Sequence, residues 1–115
     1  MKPWWFAGVM LVVAGGGCGG DPATTASDGR AVFQTNCATC HGADGRPPAA
    51  MVARIGVRDL TEAEFRARAT PELVEHQVRV GSRSKLMPAF ERALSDAQIT
   101  AVAAFVASPA FVAPR

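Results

Sequence analysis

Two of the three cysteines in this 115-residue chain stand three residues apart and are followed at once by a histidine, in the run Cys37-Ala38-Thr39-Cys40-His41. Thiols at that spacing fall on one helical turn and so act on the same small region of space. Four chemistries suit such a pair. It can cycle between dithiol and disulfide, bridge as a structural disulfide, supply half of a zinc site, or form two thioethers to a group that the neighbouring imidazole then ligates. Zinc would need two further ligands, yet His76 is the only other histidine and the third cysteine, Cys18, lies at the end of an apolar leader. A thioredoxin-like dithiol would need strands, and no period-2 pattern competes with the helical ones.

A second chemically capable group is Met87, in Lys85-Leu86-Met87-Pro88-Ala89-Phe90. A thioether is a soft, neutral metal ligand, and the proline stiffens the loop that carries it. Met51 lacks such a frame and reads as core filling. His76 falls in a helical pattern beside Glu72, Glu75 and Arg79 and reads as part of a solvated face. The Cys-x-x-Cys-His run and the later Met-Pro pair together resemble class I c-type cytochromes, the small monohaem cytochromes c. The resemblance implies one haem c held covalently by Cys37 and Cys40, with His41 and Met87 as the axial ligands of its iron. It implies an all-α cytochrome c fold of several short helices and long loops wrapped around that haem. It also implies an electron carrier, not an enzyme, passing single electrons between redox protein donors and acceptors. In that family a proline carbonyl accepts the ligand histidine's other N–H, a role open here to Pro47 or Pro48. Trp and Tyr often meet a haem propionate there; past the leader this chain has neither, so Arg54, Arg58 or Arg83 is expected to substitute.

The elements that must position these groups are legible as short helices within residues 29–115. Gly29, Phe33 and Cys37 recur at four-residue intervals, placing a small residue, an aromatic and the first thiol along one helical face, expected on the haem side. Ser95 with Gln98 forms a capping box ahead of a helix that buries Ile99, Val102, Ala103 and Val106 and stops at Pro109. By resemblance the first and last helices cross closely, with Gly29 permitting the approach and Phe33 and Phe105 packed near the crossing. Thr61 and Glu64 suggest another capping box before Phe65. Thr70-Pro71 opens a helix with Leu73, Val74 and Val78 inward, closed by Gly81. So few large apolar side chains make a poor core for a small domain, which the haem would complete.

Composition narrows the function further. Although 49% of residues are hydrophobic, much of that lies in residues 1–17, MKPWWFAGVMLVVAGGG. One early lysine, an apolar stretch too short to span a bilayer and a run of small residues read as an export signal. Cys18 follows directly, so the segment resembles a bacterial lipoprotein signal, which implies acylation of Cys18 and anchoring on the periplasmic side of a membrane. Gly15 stands where such signals carry an aliphatic residue, which leaves ordinary secretory cleavage and an uncleaved anchor open. Residues 18–28, CGGDPATTASD, have the composition of a flexible tether. The formal net charge of +2 offers no basic surface for nucleic acid and little long-range steering of partners. Docking would then lean on an apolar patch, with Ala89 and Phe90 as candidates. Two further classes stay in view: a haem-based sensor or enzyme in which Met87 yields to a small ligand, and a cytochrome subunit of a larger oxidoreductase.

Overall fold

The computed structural model describes residues 28–114, which form six α-helices, a 3-10 turn and no strand. The export signal, Cys18 and the tether through residue 27 lie outside the described residues. Asp28, assigned from sequence to the tether, belongs to the fold: its carboxylate accepts the Arg30 N–H at 3.0 Å and caps α1, Gly29–Asn36. A single turn, α2, Ala38–His41, follows immediately, joined through the Cys37 N–H to the Phe33 carbonyl at 2.9 Å. Next come α3, Ala49–Ile55, α4, Ala63–Arg68, α5, Pro71–Val80, and α6, Asp96–Ala107; Pro109–Phe111 form the 3-10 turn.

Helix α6 is the hub, packing on one side against α1 and on another against α5. It starts as its sequence requires: Ser95 Oγ accepts the Gln98 N–H at 3.1 Å, and Gln98 Oε1 accepts the Ser95 N–H at 2.8 Å. Ile99, Val102, Ala103 and Val106 are all buried, as the i, i+3, i+4, i+7 spacing predicts. Gly29 lets α1 close on this helix, since a Cβ there would lie 2.7 Å from the Ala101 carbonyl carbon and 2.8 Å from Phe105 Cβ. Gly29 and Phe33 on this face therefore meet α6, at Ala101 and Phe105. Phe33 is 1% exposed and joins Phe105 and Phe111 in an edge-to-face cluster with centroids 5.1–6.2 Å apart. The 3-10 turn after Pro109 swings Phe111 back into that cluster.

Two other sequence expectations are corrected. Thr61 does not cap α4. Its hydroxyl and N–H both donate to Asp59 Oδ1, at 2.6 and 2.8 Å, so Asp59 captures Thr61 in a local turn and α4 begins after Glu62 without a side-chain cap. Leu73 is half-exposed, while Val74 and Val78 are buried. Leu73 lies one residue, about 100°, around the helix from Val74 and so falls at the border of the apolar stripe. The rest of α5 follows its sequence, with Thr70 Oγ1 accepting the Leu73 N–H and Gly81 (φ 72°) ending the helix.

Arg66 of α4 holds the far end of α6. Its Nη1 and Nη2 donate to the Val106 and Ser108 carbonyls at 2.6 and 3.0 Å, and its guanidinium sits 5.5 Å from the Phe111 ring centroid. Two helix-terminal acceptors are thereby satisfied by one planar fork.

Candidate functional site

Cys37 closes α1 and opens α2, so both thiols and the imidazole ride on one turn fixed by its own main chain. The His41 and Cys40 N–H groups both reach the Cys37 carbonyl, at 2.9 and 3.2 Å. Gly42, at φ 81°, then turns the chain away, and Gln34 Nε2 on α1 clamps the departing loop through the Ala43 carbonyl at 2.8 Å. Both cysteines are free and partly buried. Burial foremost, and Cys40 beside it, push the Cys37 thiol up to about 11. A dithiol catalyst needs a thiolate near neutral pH, and this environment does the opposite.

His41 Nδ1 lies 3.1 Å from the Arg58 carbonyl oxygen. A carbonyl only accepts, so Nδ1 carries the proton and the Nε2 lone pair is left for a metal. Burial lowers the imidazole pKa, against a smaller upward pull from that hydrogen bond, and so favours the neutral, ligating form. Pro47 and Pro48, expected as the acceptor, do not fill this role. The Pro48 carbonyl is taken by the Met51 and Val52 N–H groups at the start of α3, at 2.9 and 3.1 Å. The chain's return after Gly56 (φ 63°) instead presents Arg58. That return is braced by Asp59, whose carboxyl is held below its ordinary range by the Thr61 hydroxyl foremost, with the Thr61 amide and Arg46 adding to it against a desolvation that opposes them.

Met87 is half-buried and packs against the same core cluster that Cys37 and Ala38 touch, so residues fifty positions apart in sequence converge on one body. Phe90 packs there too, which makes it a core contributor more than a docking residue; Ala89 is exposed. His76 is exposed on α5, as its neighbours implied. Arg54, Arg58 and Arg83 are all exposed, and the Arg58 guanidinium lies 6.0 Å from the Phe65 ring centroid.

The donor set suits haem c: two thiols and a neutral imidazole on one turn, and a thioether on a separate loop above the same core. Apolar surface suits it as well. Every residue of α3 except Arg54 is apolar, yet none of them is buried among the described residues, and Leu86 beside Met87 is 54% exposed. Protein atoms alone leave that surface uncovered, and a large apolar cofactor has the chemistry to cover it. Two contributors were missed in the sequence. Arg58 acts through its main chain, which no residue type announces. Ser82 bonds the Met87 backbone, and only the general readiness of Ser to bond nearby main chain hinted at it.

Comparison with known proteins agrees with this reading. The family described as "Cytochrome C oxidase, cbb3-type, subunit III" matches residues 24–106. A solved structure described as "KustC0563 c-type cytochrome" is 29% identical, with a TM-score of 0.61 over 70% of this chain and 94% of its own. The chain accordingly belongs to that cytochrome c family and is a small all-α c-type cytochrome, an electron-transfer protein with one covalently bound haem c.

Proposed function

We propose that this cytochrome is a single-electron carrier with His/Met-ligated iron, in which Cys37 and Cys40 form the thioethers and His41 and Met87 are the axial ligands. The observation that carries the reading is the convergence of the two ends of the site on one core: the Cys37–His41 turn with its Nε2 unencumbered, and the Met87 loop. When bound, the haem supplies an iron that gains and loses one electron. The chain's own residues do the rest. The Arg58 carbonyl fixes the tautomer and orientation of His41 and makes it a better donor, favouring oxidised iron. With both axial positions taken by protein, no position remains for substrate, which suits a carrier better than an enzyme. The experiment is a reductive titration with spectra of the parent and of Met87→Ala. The parent should follow a one-electron curve and stay indifferent to carbon monoxide, and the variant should bind carbon monoxide at once. A parent that binds carbon monoxide rapidly would move the reading to ligand sensing or catalysis.

Export, acylation of Cys18 and placement on the periplasmic face of a bacterial membrane belong to the same proposal, supported by the leader and by haem attachment occurring outside the bacterial cytoplasm. Labelled fatty acid should enter the parent and not Cys18→Ser. The family's description names an oxidase subunit, which favours a second reading as part of a larger complex. Co-purification from native membranes separates a subunit from a free carrier.

A further inference from the structure

The loop from Gly81 to Met87 is closed by one residue. Ser82 meets Met87 twice: its N–H donates to the Met87 carbonyl at 3.0 Å, and its hydroxyl accepts the Met87 N–H at 3.1 Å. The Ser82 carbonyl takes the Lys85 N–H at 3.1 Å, across a turn in which Lys85 adopts φ 64°, a left-handed conformation that side chains other than glycine resist. The Ser82 hydroxyl lies 3.1 Å from that of Ser84, which in turn receives the Leu86 N–H at 3.4 Å. Both ends of this clasp are tied to α5. Gln77 Nε2 donates to the Gly81 carbonyl at 2.7 Å, and the Phe90 N–H donates to the Val78 carbonyl at 2.9 Å. Gly81 itself passes so near the loop that a Cβ there would lie 2.8 Å from Ala89 N and Pro88 C.

A methionine side chain turns freely about several bonds, so its sulfur is only as well placed as the main chain beneath it. We propose that Ser82 is a positioning residue whose hydroxyl, by holding the Met87 N–H, sets how readily the Met87 sulfur leaves the haem iron. This inference rests on the reading of Met87 as axial ligand. It assigns the control of ligand release to a residue five positions before the ligand, through a bond to main chain and not to sulfur.

The test uses the haem-loaded protein and imidazole as probe, because imidazole binds ferric iron only after the native sulfur has left. Removing one neutral hydrogen bond corresponds to about a fivefold change in population, so Ser82→Ala should take up imidazole about fivefold faster than the parent. Ser82→Thr, which keeps the hydroxyl, should return to the parental rate. Asp96→Ala removes the 2.9 Å contact with Arg79 between α5 and α6 and should leave imidazole uptake unchanged, which separates loop control from general loosening. Met87→Ala should lose the weak long-wavelength band of sulfur on ferric iron. If it does, and Ser82→Ala binds imidazole at the parental rate, the positioning role is overturned while the ligand reading stands. If Met87→Ala keeps both the band and the parental rate, the ligand reading itself fails.

Discussion

Replacing Gly29 by alanine sets two physical effects of opposite sign against each other. Gly29 opens α1, and at an unconstrained helical position Gly→Ala stabilises by about 0.5–1 kcal/mol. Here the added Cβ would lie 2.7 Å from the Ala101 carbonyl carbon, with the carbonyl oxygen nearer still, against the 3.4 Å at which ordinary contact begins. The obstacles are helix backbone and Phe105 Cβ, neither of which can swing aside. Helices α1 and α6 must therefore part by roughly 1 Å, and a gap of that size forfeits about a quarter to a half of each dispersion contact along the seam. Phe33, at 1% exposure, lies in that seam with its ring centroid 6.2 Å from that of Phe105. Overpacking of this kind costs about 2 kcal/mol at mid-range, which outweighs the propensity gain and leaves the variant about 1 kcal/mol less stable. For a domain of this size the melting temperature should fall by about 4–8 °C. Thermal unfolding of the haem-loaded protein, followed by circular dichroism, measures it. A Gly29→Ala protein that melts at or above the parental temperature would refute the close-packed crossing.

Three further outcomes follow from named contacts. Asp59 is held below its ordinary pKa of 3.8, so the folded state binds fewer protons than the unfolded one; its contribution is present above that value and lost as pH falls through the lowered one. Asp59→Asn should accordingly lower the urea midpoint at neutral pH and narrow its difference from the parent in acid, and an equal difference at both would contradict the turn. Arg66→Met gives up two charge-assisted bonds to the end of α6 and should cost about 2–3 kcal/mol in urea unfolding, with Arg66→Lys failing to restore it because an ammonium lacks the planar fork. The Cys37→Ser, Cys40→Ser double variant should lose much of its helical circular dichroism, since the uncovered apolar surface of α3 then has nothing to hold it; native-like helicity without haem would contradict this.

Features encoded in local side-chain chemistry were legible in the sequence. The Ser95–Gln98 box, the Thr70 cap and the buried stripe of α6 need only residues three or four apart, and all three appear as read. Cys37, Cys40, His41 and Met87 could be singled out because so few residues here can hold a metal, and Cys37 and Met87 pack against one core. What could not be read depends on where loops travel. The His41 partner is a main-chain oxygen, so the path after Gly56 decides it, and Pro48 was lost as a candidate once α3 consumed its carbonyl. The Thr61 cap failed to a nearer competitor, Asp59, two residues away. Phe33 packs with Phe105 at the crossing that Gly29 permits, as the family resemblance implied, whereas helical periodicity alone does not say which neighbour a face will meet.

The most direct test of the central claim is the visible spectrum of protein matured in an exporting, haem-attaching host, oxidised and reduced, before and after acid-acetone extraction and with carbon monoxide added. The account predicts haem that resists extraction, a low-spin spectrum with the oxidised sulfur–iron band, and no response to carbon monoxide. Haem that is extracted or absent would return Cys37 and Cys40 to redox or structural chemistry and contradict the account.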